Sequence, residues 1–82
     1  MNTEDIITMI HNELREAEAI ARTDLNPVLR LMNTSNHLGH VQGMLEVIEM
    51  NNLKAFVATF EEIKGRIDKI LEQEDEIYRK LR

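Results

Sequence analysis

Eighty-two residues leave room for one domain, residues 1–82, and a single core of that size contributes only a few kcal/mol beyond conformational entropy unless something reinforces it. Cysteine is absent, which removes disulfides, thiolate zinc sites and cysteine nucleophiles and leaves self-association as the natural reinforcement. Net charge is −5 with no basic stripe, and Phe56, Phe60 and Tyr78 are the only aromatics, so neither phosphate neutralisation nor base stacking is supplied and nucleic acid is not an expected partner.

No apolar run approaches the roughly 18 residues of a membrane span, and the opening Met-Asn-Thr-Glu-Asp is acidic where a signal peptide would be basic. A cytoplasmic protein with no membrane span is expected. The few glycines and the single proline do not mark out hairpins, and the β-branched residues fall at helical spacing, so the fold class is all-α.

The first helix is expected over about 3–22. Thr3 would be its N-cap, with Glu4 and Asp5 in the first turn where the helix dipole favours negative charge. Ile6, Ile10, Leu14, Ala17 and Ala21 recur every three or four residues and form its apolar face. Glu18 and Arg22 stand at i,i+4 as an ion pair. Asp24-Leu25-Asn26-Pro27 then punctuates the chain, because Asn26 can cap while Pro27 takes the first helical position, where its missing N–H costs nothing.

A second helix follows over 27–51, with Val28, Leu31, Leu38, Val41, Leu45 and Ile48 on its apolar face. The run Asn33-Thr34-Ser35-Asn36 favours caps and turns over helix interiors, and predicts a kink or break near Ser35. Asn51-Asn52 reads as a left-handed residue followed by an N-cap, a tight connection that folds the third helix back as a hairpin. One continuous helix from Pro27 onward is the alternative.

The third helix, 53–81, carries the strongest pattern in the chain. Leu53, Phe56, Phe60, Ile63, Ile67, Ile70, Glu74, Ile77 and Leu81 step by three and four through a coiled-coil a/d register, with Val57, Leu71 and Tyr78 at e. Glu62 with Arg66, Asp75 with Arg79 and Glu76 with Lys80 are i,i+4 pairs, and Arg79, Lys80 and Arg82 complement the dipole at the helix end. At 1.5 Å per residue this helix spans about 43 Å against about 30 Å for the first, so 68–82 is expected to overhang as an oligomerisation segment. The interface would comprise Ile67, Ile70, Leu71, Glu74, Ile77, Tyr78 and Leu81, with Glu74 a polar a residue that selects register or lies near a solvated end.

Candidate chemistry is sparse. His37 and His40 form H-x-x-H, which His11 would have to join from the first helix. The only acids on the second helix, Glu46 and Glu49, are at least six residues further on and make no ligand spacing, so no metal or other cofactor is expected. The fifteen acids mostly occupy solvated helix faces, and Ser35 sits in no nucleophile turn, so the chain reads as non-enzymatic. Gly39 and Gly43 share one side of the second helix and would permit close approach by another helix. Uncharged polar groups concentrate from Asn33 to Gln42, with Arg30 one turn before, and Arg30, Asn33, Asn36, His37 and His40 form the candidate recognition patch.

In kind, the chain resembles the short, acidic, cysteine-free helical proteins frequent among phage-encoded regulators, including antiholins, host-enzyme inhibitors and anti-defence proteins. That resemblance implies a small regulatory or inhibitory protein that forms a homodimer or higher oligomer and binds another protein. The alternative expectation is an oligomeric binder or sponge for a nucleotide-like anion, enclosed by copies of the same polar patch.

Overall fold

The computed structural model describes residues 2–23 and 26–81, which form three α-helices and, among the described residues, no strand. The helices are α1 (Thr3–Ala21), α2 (Pro27–Asn51) and α3 (Leu53–Lys80). Asp24 and Leu25 of the expected punctuation, and Arg82 of the expected dipole complement, lie outside the described residues. Among the described residues, no helix is long and apolar enough to cross a membrane.

The helix ends follow from local hydrogen bonding, with one correction. Asn2 rather than Thr3 caps α1: its Oδ1 accepts from the Asp5 amide at 2.9 Å, and Thr3 is already helical. An asparagine side chain reaches the orphan amides as well as a threonine hydroxyl does, so the cap moves back by one. Asn26 caps α2 by accepting from the Val28 amide, with Pro27 at the first position.

Asn52 is both the C-cap of α2 and the N-cap of α3. Its amide donates to the Ile48 carbonyl at 2.7 Å and its side chain accepts from the Ala55 amide at 3.1 Å. The hairpin expectation holds, but the reversal uses one extended residue (φ −159°, ψ 95°), and the expected left-handed asparagine is absent because Asn51 remains helical. Helix α2 also runs unbroken through Ser35. The Thr34 hydroxyl donates to the Arg30 carbonyl at 2.6 Å, and that back-bond satisfies a buried polar side chain without breaking the helix.

The helices fold back on one another with α2 between its neighbours, and the bundle measures 41 × 19 × 16 Å. Ile10, Leu14 and Ala17 of α1, Val41, Leu45 and Ile48 of α2, and Ile63 and Ile70 of α3 form the central cluster. Each of the large aliphatics contributes about 1.5–3 kcal/mol on full burial. Ile77, near the end of α3, is also buried.

The buried Ile77 shows that the segment expected to overhang α1 packs in part against the same chain. The partner of the C-terminal half of α3 is α2, whose 25 residues nearly match the 28 of α3, and not the shorter α1. Ser35 of α2 meets Glu74 of α3, and Leu31 lies beside Leu71 and Tyr78. Ile70 and Ile77 are therefore buried within the single chain, whereas Leu71, Tyr78 and Leu81 of the expected interface are exposed.

Candidate functional site

The apolar repeat of α3 divides into two seams. Phe56, Thr59, Ile63, Arg66, Ile70, Gln73 and Ile77 face inward, all buried or half-buried. A second seam, one helical step away, runs through Leu53, Val57, Phe60, Lys64, Ile67, Leu71, Glu74, Tyr78 and Leu81, again by alternating fours and threes. Five of its apolar members, Leu53, Val57, Leu71, Tyr78 and Leu81, are 45–63% exposed. Of the residues expected to mediate assembly, Leu71, Tyr78 and Leu81 lie open on this seam, while Ile67 and Glu74 are half-buried within it. The seam borders a shallow groove shared with α2, where Leu38, Val41, Gln42 and Leu45 meet Ile67 and Leu71.

Glu74 is the polar interruption of that seam. Its carboxylate accepts from the Ser35 hydroxyl at 3.3 Å, and burial pushes its carboxyl above the usual range against the opposing effect of that bond. Asp75 and Arg79 pair at 2.8 Å as the spacing predicts, though both are largely exposed and contribute little.

Two polar junctions tie α1 to its neighbours. At the α1–α3 junction, Arg66 donates through Nη2 and Nε to the two oxygens of Glu18 at 2.7 and 3.1 Å, a forked pair. Its Nη1 approaches His11 Nδ1 at 3.0 Å. The guanidinium holds the Glu18 carboxyl below its ordinary range despite partial burial, and is itself raised by the carboxylate. The sequence instead pairs Glu18 with Arg22 and Glu62 with Arg66; here Arg22 Nε donates to the Glu18 backbone carbonyl, and a cross-helix fork replaces both side-chain pairs. The fork prevails because both groups are partly sheltered and bond through two atoms each, whereas an exposed i,i+4 pair is worth a few tenths of a kcal/mol.

At the α1–α2 junction, both histidines of H-x-x-H turn toward Glu13. His37 Nδ1 is 2.5 Å and His40 Nδ1 3.4 Å from the same Glu13 oxygen, and the rings stand edge to face. The hydrogen bond from His37 holds the Glu13 carboxyl below its usual range, opposed by desolvation and helped by His40. Glu16, one turn along α1, brings a carboxylate oxygen to 3.6 Å from His37 Nδ1. His11 does not join this cluster.

The five residues of the expected recognition patch are divided by this arrangement. Arg30 points its guanidinium to the Ala21 carbonyl at the C-terminal end of α1, where a cation complements the dipole, while His37 and His40 face Glu13. Asn33 is half-buried and Asn36 exposed. The carboxylate at the histidines opposes an anion, which removes the main argument for a nucleotide-like ligand there. Gly39 and Gly43 border an open groove with Met9, Met44 and Val47, and a Cβ at either glycine would meet nothing within 4 Å, so within this chain they serve no close helix approach.

Sequence reasoning missed Glu13 as the partner of H-x-x-H. Its one available signal was that Glu13-x-x-Glu16 repeats the same three-residue spacing on the neighbouring helix. Comparison with protein-family models, with curated proteins and with solved structures finds no match to this chain.

Proposed function

We propose that this chain is a small non-enzymatic regulatory or inhibitory protein that acts by protein–protein interaction and assembles with a second copy of itself through the outer seam of α3. The observation that carries the reading is the exposed stripe from Leu53 to Leu81, which continues for the whole length of the helix after the core has been filled by the other seam. Scattered exposed aliphatics are ordinary on any protein, but a stripe of coiled-coil spacing is the form of surface that a partner helix covers. The groove beside it, shared with Leu38 and Leu45 of α2, gives such a helix two walls.

Light scattering across micromolar concentrations tests the assembly. The wild type is expected to exceed the 9.6 kDa of one chain, and Leu71→Asp to return it to that mass with its helical circular dichroism unchanged. A wild type that stays at one chain mass throughout the range overturns the reading.

A further inference from the structure

The junction between α1 and α2 has the composition and convergence of a cation site. On α2, His37 and His40 stand three residues apart and so project from one face. On α1, Glu13 and Glu16 have the same spacing, and the antiparallel packing sets the two pairs opposite one another. Glu13 Oε2 lies 2.5 Å from His37 Nδ1 and 3.4 Å from His40 Nδ1, and one donor atom from each of the three residues falls within a 4.8 Å cluster. Glu16 Oε2 is a candidate fourth donor, 3.6 Å from His37 Nδ1.

We propose that Glu13, His37 and His40 bind a divalent transition ion of the zinc type, with the fourth position taken by Glu16 or by water from the adjoining groove.

The chemistry of the donors favours that class of ion. Two imidazole nitrogens and a carboxylate match the borderline softness of Zn²⁺, whereas Mg²⁺ and Ca²⁺ prefer six or more oxygens. Tetrahedral bonds of about 2.0–2.1 Å place donors about 3.3 Å apart. The Glu13–His40 separation of 3.4 Å is close to that value, and the Glu13–His37 separation has to open from 2.5 Å by less than 1 Å when an ion takes the place of their hydrogen bond.

Among the described residues no lysine or arginine pairs with Glu13, whose side-chain partners are His37 and His40. The α1–α3 junction shows what the alternative looks like. There His11 and Glu18 both face Arg66, and a guanidinium occupies the place an ion would need. The first junction is neutralised by a fixed cation, and the second supplies lone pairs without one.

Access is open. His40 is 65% exposed, while His37 and Glu13 are sheltered to 21% and 25%, so an ion enters from the side of Gly39, Gly43 and Met44 and is held by the inner pair. Because the ligands come from two helices, binding cross-links α1 to α2, and an ion that binds only the folded chain stabilises it by mass action.

Tag-free protein, stripped with chelator, is titrated with Zn²⁺ and Co²⁺ by calorimetry and followed by thermal unfolding, with Mg²⁺ as the control ion. The expected results are one equivalent of Zn²⁺ per chain, a Tm raised by at least about 5 °C at a hundredfold excess over Kd, visible Co²⁺ absorption of a four-coordinate nitrogen and oxygen site, and no response to Mg²⁺. His40→Ala, at an exposed position that leaves the helix intact, should weaken Zn²⁺ binding at least about tenfold, Glu13→Gln likewise, and His11→Ala not at all. Absence of a Zn²⁺-dependent Tm shift in the wild type overturns the proposal, as does a shift of equal size in the His37→Ala/His40→Ala double variant. Half an equivalent per chain with doubling of mass also overturns it, in favour of an ion bridging two copies.

Discussion

The two seams of α3 share the same three-and-four spacing and both are largely apolar, yet one lies in the core and the other is mostly exposed. What separates them is the neighbour. The inner seam faces the aliphatics of α1 and α2 together, and accepts Arg66 because its guanidinium forks onto Glu18 across the junction. The outer seam borders α2 alone and carries more large apolar side chains than its exposure requires. A third helix that needed only to close this bundle would be polar on that side.

The contrast is broken most directly at Ile63. Ile63→Ala removes a fully buried side chain and should cost about 2–5 kcal/mol in urea-unfolding equilibria. Arg66→Ala comes next: it opens the fork to Glu18, leaves a sheltered carboxylate without its cation, and should cost about 1–2 kcal/mol. On the outer seam, Leu71→Asp should change the stability of the isolated chain by no more than about 0.5 kcal/mol in dilute protein, while its effect on mass is large.

A smaller and more discriminating contrast comes from pH. Glu18 has a depressed folded pKa, so its contribution is present above the ordinary 4.5 and is lost as pH falls through the folded value. Glu18→Gln should accordingly destabilise at pH 7, with the difference shrinking toward zero in acid. Glu74 has a raised folded pKa, so the stability from its protonated form is complete below 4.5 and is lost as pH rises through the folded value. Glu74→Gln should stabilise at pH 7 and make no difference near pH 3. Urea midpoints of the two variants measured from pH 3 to 7 should therefore deviate from wild type in opposite directions.

Much of the fold was legible because it rests on local physics. Asn26-Pro27 and Asn52 cap where their side chains can reach orphan amides, and the apolar faces of α1 and α2 follow from simple periodicity. The register of α3 was not settled by its repeat. With apolar residues at a, d and e, the same string supports an a/d seam or an a/e seam, and the core is formed by d and g once α2 and α1 are in place. The burial of Ile77 was not legible for a related reason: the length of α3 was compared with α1, whereas α2 lies along its C-terminal half. The polar junctions were harder still. Glu13 lies 24 residues from His37 and Glu18 lies 48 from Arg66, and each had a more obvious neighbour at i,i+4 or none at all. Side-chain partners across helices depend on rotation about each helix axis, which is a property of the assembled core.

Asn52 carries a consequence for how the chain chooses between one partner and itself. A single extended residue, which caps both helices, separates α2 from α3. Were its backbone to become helical, residues 27–80 would form one rod about 80 Å long, and each half would find its complementary faces in another copy. The same interior contacts would be restored between exchanged segments, so the folded-back monomer and a domain-swapped dimer differ chiefly by one pair of backbone angles and two capping bonds. The folded-back topology of this small protein thus rests on a hinge of one residue.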